Sequence, residues 1–416
     1  MKVARRAVRQ EMSAGPSVLE SRNADATLFV AQLFAMMTGV VVARILGPAG
    51  RGTVTTLATW AQFLGWIGIF SVDKALIVVG RDLGADREPA RLRQLASVAV
   101  TTIRPVTAAS LVGALGLGGV LFPVLLPLFL VLVVLTILQE FQSGLMLLAG
   151  NYQRYLVLRC LQPLIYAVLI AVVAAVPGII HPHGVVVVVC CIVFSFLTVV
   201  LFGPSVPRPW VRLQRAVIGK RLTRLAREIQ LATTMQYLNN RLDLLVAPLI
   251  LARDDVGWYA VGASVGQLLG FLGTANALRG LVGRSAGIDV RGTLVVATIA
   301  CVGAAFASHA VPLVFGAGFA PAVPVAQVLL LGGIAAFCLQ GCTWRLVGAT
   351  AQRAAAASQG LGAVVFALGV AVEPTMIGLA WANALSTLVA LAAGEMLWRR
   401  HCRGASLRNQ YSEAEG

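Results

Sequence analysis

A chain of 416 residues, 58% hydrophobic and only 12% charged, with a mean hydropathy of +0.84, cannot fold as a water-soluble globule. The net charge of +16 would suit nucleic acid if it formed one face, but the basic residues collect in alternate loops, which is the positive-inside pattern. Runs of 18 or more apolar residues without strand alternation predict an all-α polytopic membrane protein and exclude a barrel.

In chain order, residues 1–25 form a basic tail whose following apolar segment is long and lacks a small-residue cleavage site, so the tail reads as cytoplasmic rather than as a removed signal peptide. Twelve spans follow from hydropathy. The first six, at about 26–46, 53–72, 95–121, 124–149, 155–177 and 184–203, make an N-terminal bundle over 26–203. A linker over 204–228 puts Val211, Ile218, Leu222 and Leu225 on one helical face and Lys220, Arg224 and Arg227 opposite. That pattern predicts an amphipathic helix on the inner leaflet, acting as a tether or as a site for anionic membrane lipid. The second six, at about 229–252, 256–278, 292–315, 322–347, 354–372 and 375–398, make a C-terminal bundle over 229–398, and a tail over 399–416 closes the chain. External connections such as Phe122–Pro127, His181–His183 and Gly316–Pro321 are too short for an outer domain. Lysine and arginine cluster in both tails and in the loops after even-numbered spans, so both termini are expected in the cytoplasm.

Half a chain apart, a motif returns. Gln62-Phe-Leu-Gly-Trp-Ile-Gly68 becomes Gln267-Leu-Leu-Gly-Phe-Leu-Gly273, and Gly52 maps onto Gly257 at the same offset of 205 positions. Since six spans is an even number, the second bundle repeats the first in the same orientation. The expected architecture is about 12 transmembrane helices in two pseudo-symmetric six-helix bundles around a central cavity. The glycines of the repeated motif suit close helix approach.

Charge inside the bilayer is costly and needs a reason. In the seventh span Thr233, Gln236, Asn239, Asn240 and Asp243 form one polar stripe, flanked by Arg241, which points either at a cavity or at a partner helix. Glu140 lies within the fourth span, Arg104 within the third before Pro105, and Arg345 near the inner end of the tenth, while Arg44 closes the first. In a wet cavity such arginines hold phosphate oxygens and a carboxylate titrates or pairs with them. The structural alternative has Arg44, Arg159 and Arg345 snorkelling to an interface and Glu140 neutralising Arg104. The seven cysteines mostly read as small buried hydrophobes, with no metal spacing, and His181, His183 and His309 show no partner in the sequence. No nucleophile motif, phosphate loop or metal spacing points to an enzyme.

Ala43-Arg-Ile-Leu-Gly-Pro48 with Gly52, Asn239-Asn-Arg-Leu-Asp243, Val256-Gly-Trp-Tyr-Ala260 and Phe315-Gly-Ala-Gly-Phe-Ala-Pro-Ala-Val-Pro324 resemble the polysaccharide (O-antigen type) flippases of the multidrug/oligosaccharidyl-lipid/polysaccharide exporter superfamily. The resemblance implies a carrier that moves a polyprenyl-diphosphate-linked oligosaccharide across a bacterial inner membrane by alternating access. On that reading Arg44, Arg104, Arg241 and Arg345 contact the anion, Asn239 and Asn240 bond the sugar or linker, and Glu140 and Asp243 serve ion coupling or cavity pairing. It further implies no cofactor, coupling to H+ or Na+ being left open, and a glycan polymerase and glycosyltransferases as pathway partners. Lipid II flippases of the superfamily usually carry two more helices than the twelve read here. A drug or organic-cation antiporter, a lipid II-type flippase, a membrane glycosyltransferase, polymerase or ligase, and a non-transporting scaffold are the alternatives. An organic-cation carrier calls for unpaired carboxylates, whereas the intramembrane excess here is arginine. The transferase needs a sizeable catalytic loop, and none is visible.

Overall fold

A computed structural model describes residues 18–84, 88–176, 183–204, 215–283, 290–348 and 351–414. Its regular elements are α1 (Val18–Ile69), α2 (Val72–Asp82), α3 (Pro89–Leu121), α4 (Leu126–Leu148), α5 (Tyr152–Ala175), α6 (Gly184–Phe202), α7 (Arg215–Ile250), α8 (Arg253–Gly283), α9 (Val290–Phe315), a 3-10 turn (Ala317–Ala322), α10 (Val323–Gly348), α11 (Gln352–Val372) and α12 (Met376–Ala414). Every one is a helix, as the apolar composition requires: with no water in the hydrocarbon, each backbone N–H and C=O must be satisfied within its own segment.

Among the described residues, nine helical stretches are long and apolar enough to cross a membrane. The first of them, Val30–Gly80, joins two expected spans and α2 into one stretch. Within it α1 bends at Gly47, whose φ of 67° places it in the left-handed region where glycine is at ease, directly before Pro48. Hydropathy alone does not mark α7 as a span, because its polar stripe offsets its leucines. The twelve expected spans are thus not reproduced as twelve separate apolar helices.

The linker also differs from expectation. Residues 205–214, including Val211, lie outside the described residues, but from Arg215 the chain runs without a break into α7. Leu222 and Ala226 are fully buried, and Ile218 and Leu225 pack beside them, against Leu76 and Val79 of α2 and Leu95 and Ala99 of α3. The apolar stripe expected on lipid is therefore covered by protein. An amphipathic pattern reports one dry face and is silent on whether lipid or protein dries it. Lys220, Arg224 and Arg227 stay exposed on the other face, and Arg221 bonds Asp82 of α2.

Further along α7, Leu244 and Ala247 belong to a different cluster, with Val256, Tyr259 and Ala260 of α8, Val325 of α10 and Leu379 of α12. One end of α7 is thus packed on helices of the first half and the other end on helices of the second. Glycines of the repeated motif set close helix approach at three places. A Cβ on Gly65 would lie 2.5 Å from Thr136 of α4, on Gly68 2.7 Å from Ile137, and on Gly273 2.8 Å from Phe337 of α10. Gly270 faces open space instead.

Candidate functional site: a polar cavity sealed at one end

Gly52 of α1 and Gly257 of α8, 205 positions apart at the offset of the sequence repeat, face each other: a Cβ on Gly52 would lie 2.9 Å from the Gly257 nitrogen, and one on Gly257 1.9 Å from the Pro48 carbonyl oxygen. Around this seam Ala43 of α1 packs with Val261 of α8, Val311 and Phe315 of α9 and Phe319. Arg44 adds a polar clasp, donating from Nε to the Val314 carbonyl (2.7 Å) and from Nη2 to the Leu313 carbonyl (2.5 Å) at the C-terminal end of α9, where the helix dipole favours a cation. Arg51 lies in the same seam, its Nη2 3.5 Å from Ser264 Oγ of α8 and its buried Nε without a partner.

Ten residues beyond Gly52, about 15 Å along the helix, α1 leaves the seam and lines a cavity of about 600 Å³ from Gln62. All five members of the α7 stripe, Thr233, Gln236, Asn239, Asn240 and Asp243, line this space, together with Arg241. The stripe therefore faces a cavity rather than a sealed helix contact. The opposite wall comes from Gln267 of α8, Gln340 of α10, Gln359 of α11 and Asn383 of α12, and the cavity extends to Lys74 and Gln352 at the first turns of α2 and α11. The wall is amide-rich and holds two cations, Arg241 and Lys74, against one carboxylate, Asp243.

Arg241 donates from Nη1 to Gln267 Oε1 at 2.7 Å, which aims the guanidinium and leaves its other donors available. Asp243 is 2% exposed and fully engaged: it accepts from Tyr259 Oη (2.7 Å), the Leu244 backbone N–H (2.8 Å) and Asn383 Nδ2 (2.6 Å). Asn239 is the reverse case. Its side chain is buried, yet neither Oδ1 nor Nδ2 has a partner, and Gln359 Oε1 on the opposite wall is also unpartnered. Unpaired buried amides cost about 1–3 kcal/mol each.

The other sequence-predicted residues fall elsewhere. Arg44 belongs to the seam described above and lines neither cavity. Arg104 is exposed on α3, without a hydrogen bond or ion pair among the described residues. Arg345 pairs with Glu395 of α12 and stacks over Trp398, 5.6 Å from the ring centroid, inside the second half. Glu140 does not neutralise Arg104; it accepts from Arg159 Nη2 of α5 at 2.7 Å, because α4 and α5 bring those two side chains to one depth. With that carboxylate removed, Arg159 is left an unpaired, largely buried cation. Glu140→Ala should therefore cost about 3 kcal/mol, read as a lowered thermal midpoint, and the double change Glu140→Ala, Arg159→Met should recover most of it.

A smaller cavity of about 220 Å³ adjoins the first. Asp73, Glu140, Ser143, Tyr155 and Arg159 line it, and it shares Trp66, Lys74, Thr233 and Tyr237 with the larger space. Lys74 was legible in the sequence only as one more basic residue after the second span. Its Nζ sits 5.7 Å from the Trp66 ring centroid, between the two cavities. No set of three or more His, Cys, Asp or Glu side chains able to hold a metal ion occurs among the described residues.

This all-helical arrangement around a polar cavity is similar to solved structures. An inward-facing multidrug resistance MATE family transporter of the MOP superfamily matches 89% of this chain and 96% of its own, with a TM-score of 0.61 at 14% identity. The chain has the MATE fold. The lipid II flippase MurJ, in an inward closed conformation, matches 92% of this chain and 88% of its own with a TM-score of 0.67 at 8% identity. The eukaryotic MATE transporter AtDTX14 matches 93% and 96%, with a TM-score of 0.56 at 14% identity. All three proteins that share this MATE fold are transporters or a flippase, not enzymes. No protein-family model matches the sequence, and no curated protein matches it.

Proposed function

We propose that the protein is a multi-pass membrane transporter of the polysaccharide-flippase type, moving a polyprenyl-diphosphate-linked oligosaccharide across a bacterial inner membrane by alternating access. The observation that carries this reading is the wall of the larger cavity, amide-rich with a surplus of cationic side chains and drawn from both halves of the chain, which meet closely at Gly52 and Gly257. Amides match sugar hydroxyls in both donor and acceptor roles, and Arg241 and Lys74 supply charge for a diphosphate. On this reading α1 to α12 make twelve crossings in two six-helix lobes, both termini are cytoplasmic, and the sealed seam faces outward. Asp243, with the unpartnered Asn239 amide beside it, is the candidate for ion coupling. The exposed face of Lys220, Arg224 and Arg227 would meet anionic lipid, and glycosyltransferases and a polymerase of the same pathway would be partners.

Multidrug efflux is the second reading, supported by the MATE fold itself. Reconstitution into vesicles separates the two. A fluorescent lipid-linked oligosaccharide should change leaflet in vesicles containing the protein, and an organic cation such as ethidium should not be moved. Cation movement without glycolipid movement would overturn the flippase reading.

A further inference from the structure

The smaller cavity has a chemistry of its own. Its ionisable groups balance, two carboxylates (Asp73, Glu140) against two cations (Lys74, Arg159), so it lacks the cationic surplus of an anion site and the acidic surplus of a cation site. Asp73 accepts from the Lys74 backbone N–H, and Arg159, held to Glu140 through Nη2, keeps 30% of its side chain exposed. A carboxylate and a part-exposed guanidinium lining one space suit a ligand that both donates and accepts, as a hydroxyl does. Beside them stand aromatic surfaces: Trp66 remains 37% exposed, with Tyr237 tilted against it at 4.7 Å. At about 220 Å³ the space equals some seven waters at roughly 30 Å³ each, room for one ring and not for a chain.

We propose that this side cavity is a sugar subsite, seating one uncharged sugar ring of the transported glycan against Trp66 while Asp73 and Arg159 bond its hydroxyls. The proposal rests on the flippase reading and refines it: the diphosphate stays in the larger cavity with Arg241, and Lys74, on the wall common to both spaces, stands between phosphate and ring. Asp73 touches only the smaller cavity, so its contribution separates from that of the larger one.

The test titrates the full chain in nanodiscs with geranyl diphosphate and with its N-acetylglucosaminyl diphosphate counterpart. The native protein is expected to bind the sugar-bearing probe about tenfold more tightly. Asp73→Asn and Trp66→Ala, each checked for an unchanged thermal midpoint, should erase that gain, and Asp73→Asn, which changes a residue of the smaller cavity alone, should leave geranyl diphosphate within about twofold of native affinity. Arg241→Gln should weaken both probes alike. If geranyl diphosphate binds but the sugar adds nothing, or adds as much in both variants as in the native chain, the subsite is wrong and the larger-cavity reading stands. If neither probe binds the native protein, the flippase reading falls and takes the subsite with it.

Discussion

Arg241→Gln is expected to lower affinity for a diphosphate-linked probe by about a hundredfold and to abolish glycolipid movement at unchanged protein level. The guanidinium sits on the cavity wall of α7, held by a single 2.7 Å bond to Gln267, with its remaining donors uncommitted. Each charge-assisted bond to phosphate oxygen in such a site contributes about 1.5–3 kcal/mol, and a bidentate contact loses two of them at once. Arg241→Lys keeps the charge and loses the fork, so about a tenfold loss is expected there. Arg104→Gln, at an exposed residue that lines neither cavity, should leave binding and transport at native levels. Arg345→Gln should instead depress the thermal midpoint, since it strands Glu395 inside the second half. Titration of all the variants against one probe reads out this ordering. Retained transport in Arg241→Gln would remove the larger cavity as the anion site.

These contrasts show where sequence carries the site and where it does not. The α7 stripe is visible because five polar residues at helical spacing stand out in an otherwise apolar segment, and burial of a charge needs a partner wherever it occurs. The facing wall is invisible for the opposite reason. Gln267, Gln340, Gln359 and Asn383 are each a lone amide in its own helix, and only tertiary packing converges them. Depth is also underdetermined: Glu140 has arginines in two neighbouring spans, and nothing in the chain states the register that selects Arg159 over Arg104. Lys74 illustrates a third loss, because counting it toward loop charge fixed the expected orientation and hid its place on the cavity wall. The linker fails similarly, since Leu222 and Ala226 report a dry face without naming the second helix that covers it.

The repeat, by contrast, predicts more than similarity. If Gly52 and Gly257 are equivalent, their lack of side chains is what lets the halves close, and Gly257→Ala should keep that end open. The added Cβ would lie 1.9 Å from the Pro48 carbonyl oxygen and 2.5 Å from its carbon, both backbone atoms that no rotamer change can move. Overpacking of this kind costs about 1–3 kcal/mol, and 2 kcal/mol alone shifts a closed-to-open ratio about thirtyfold. A carrier that cannot seal one end completes no cycle, so transport should be lost although the protein folds and the larger cavity still binds a diphosphate probe. Spin labels at Met37 and Leu313, in a chain whose native cysteines are replaced, should report a longer separation across the seam in Gly257→Ala. Gly116→Ala, whose Cβ would meet nothing within 4 Å, serves as the matched control and should behave as native. Native label distances together with native transport in Gly257→Ala would mean that the seam is not a moving contact, and alternating access through this interface would have to be abandoned.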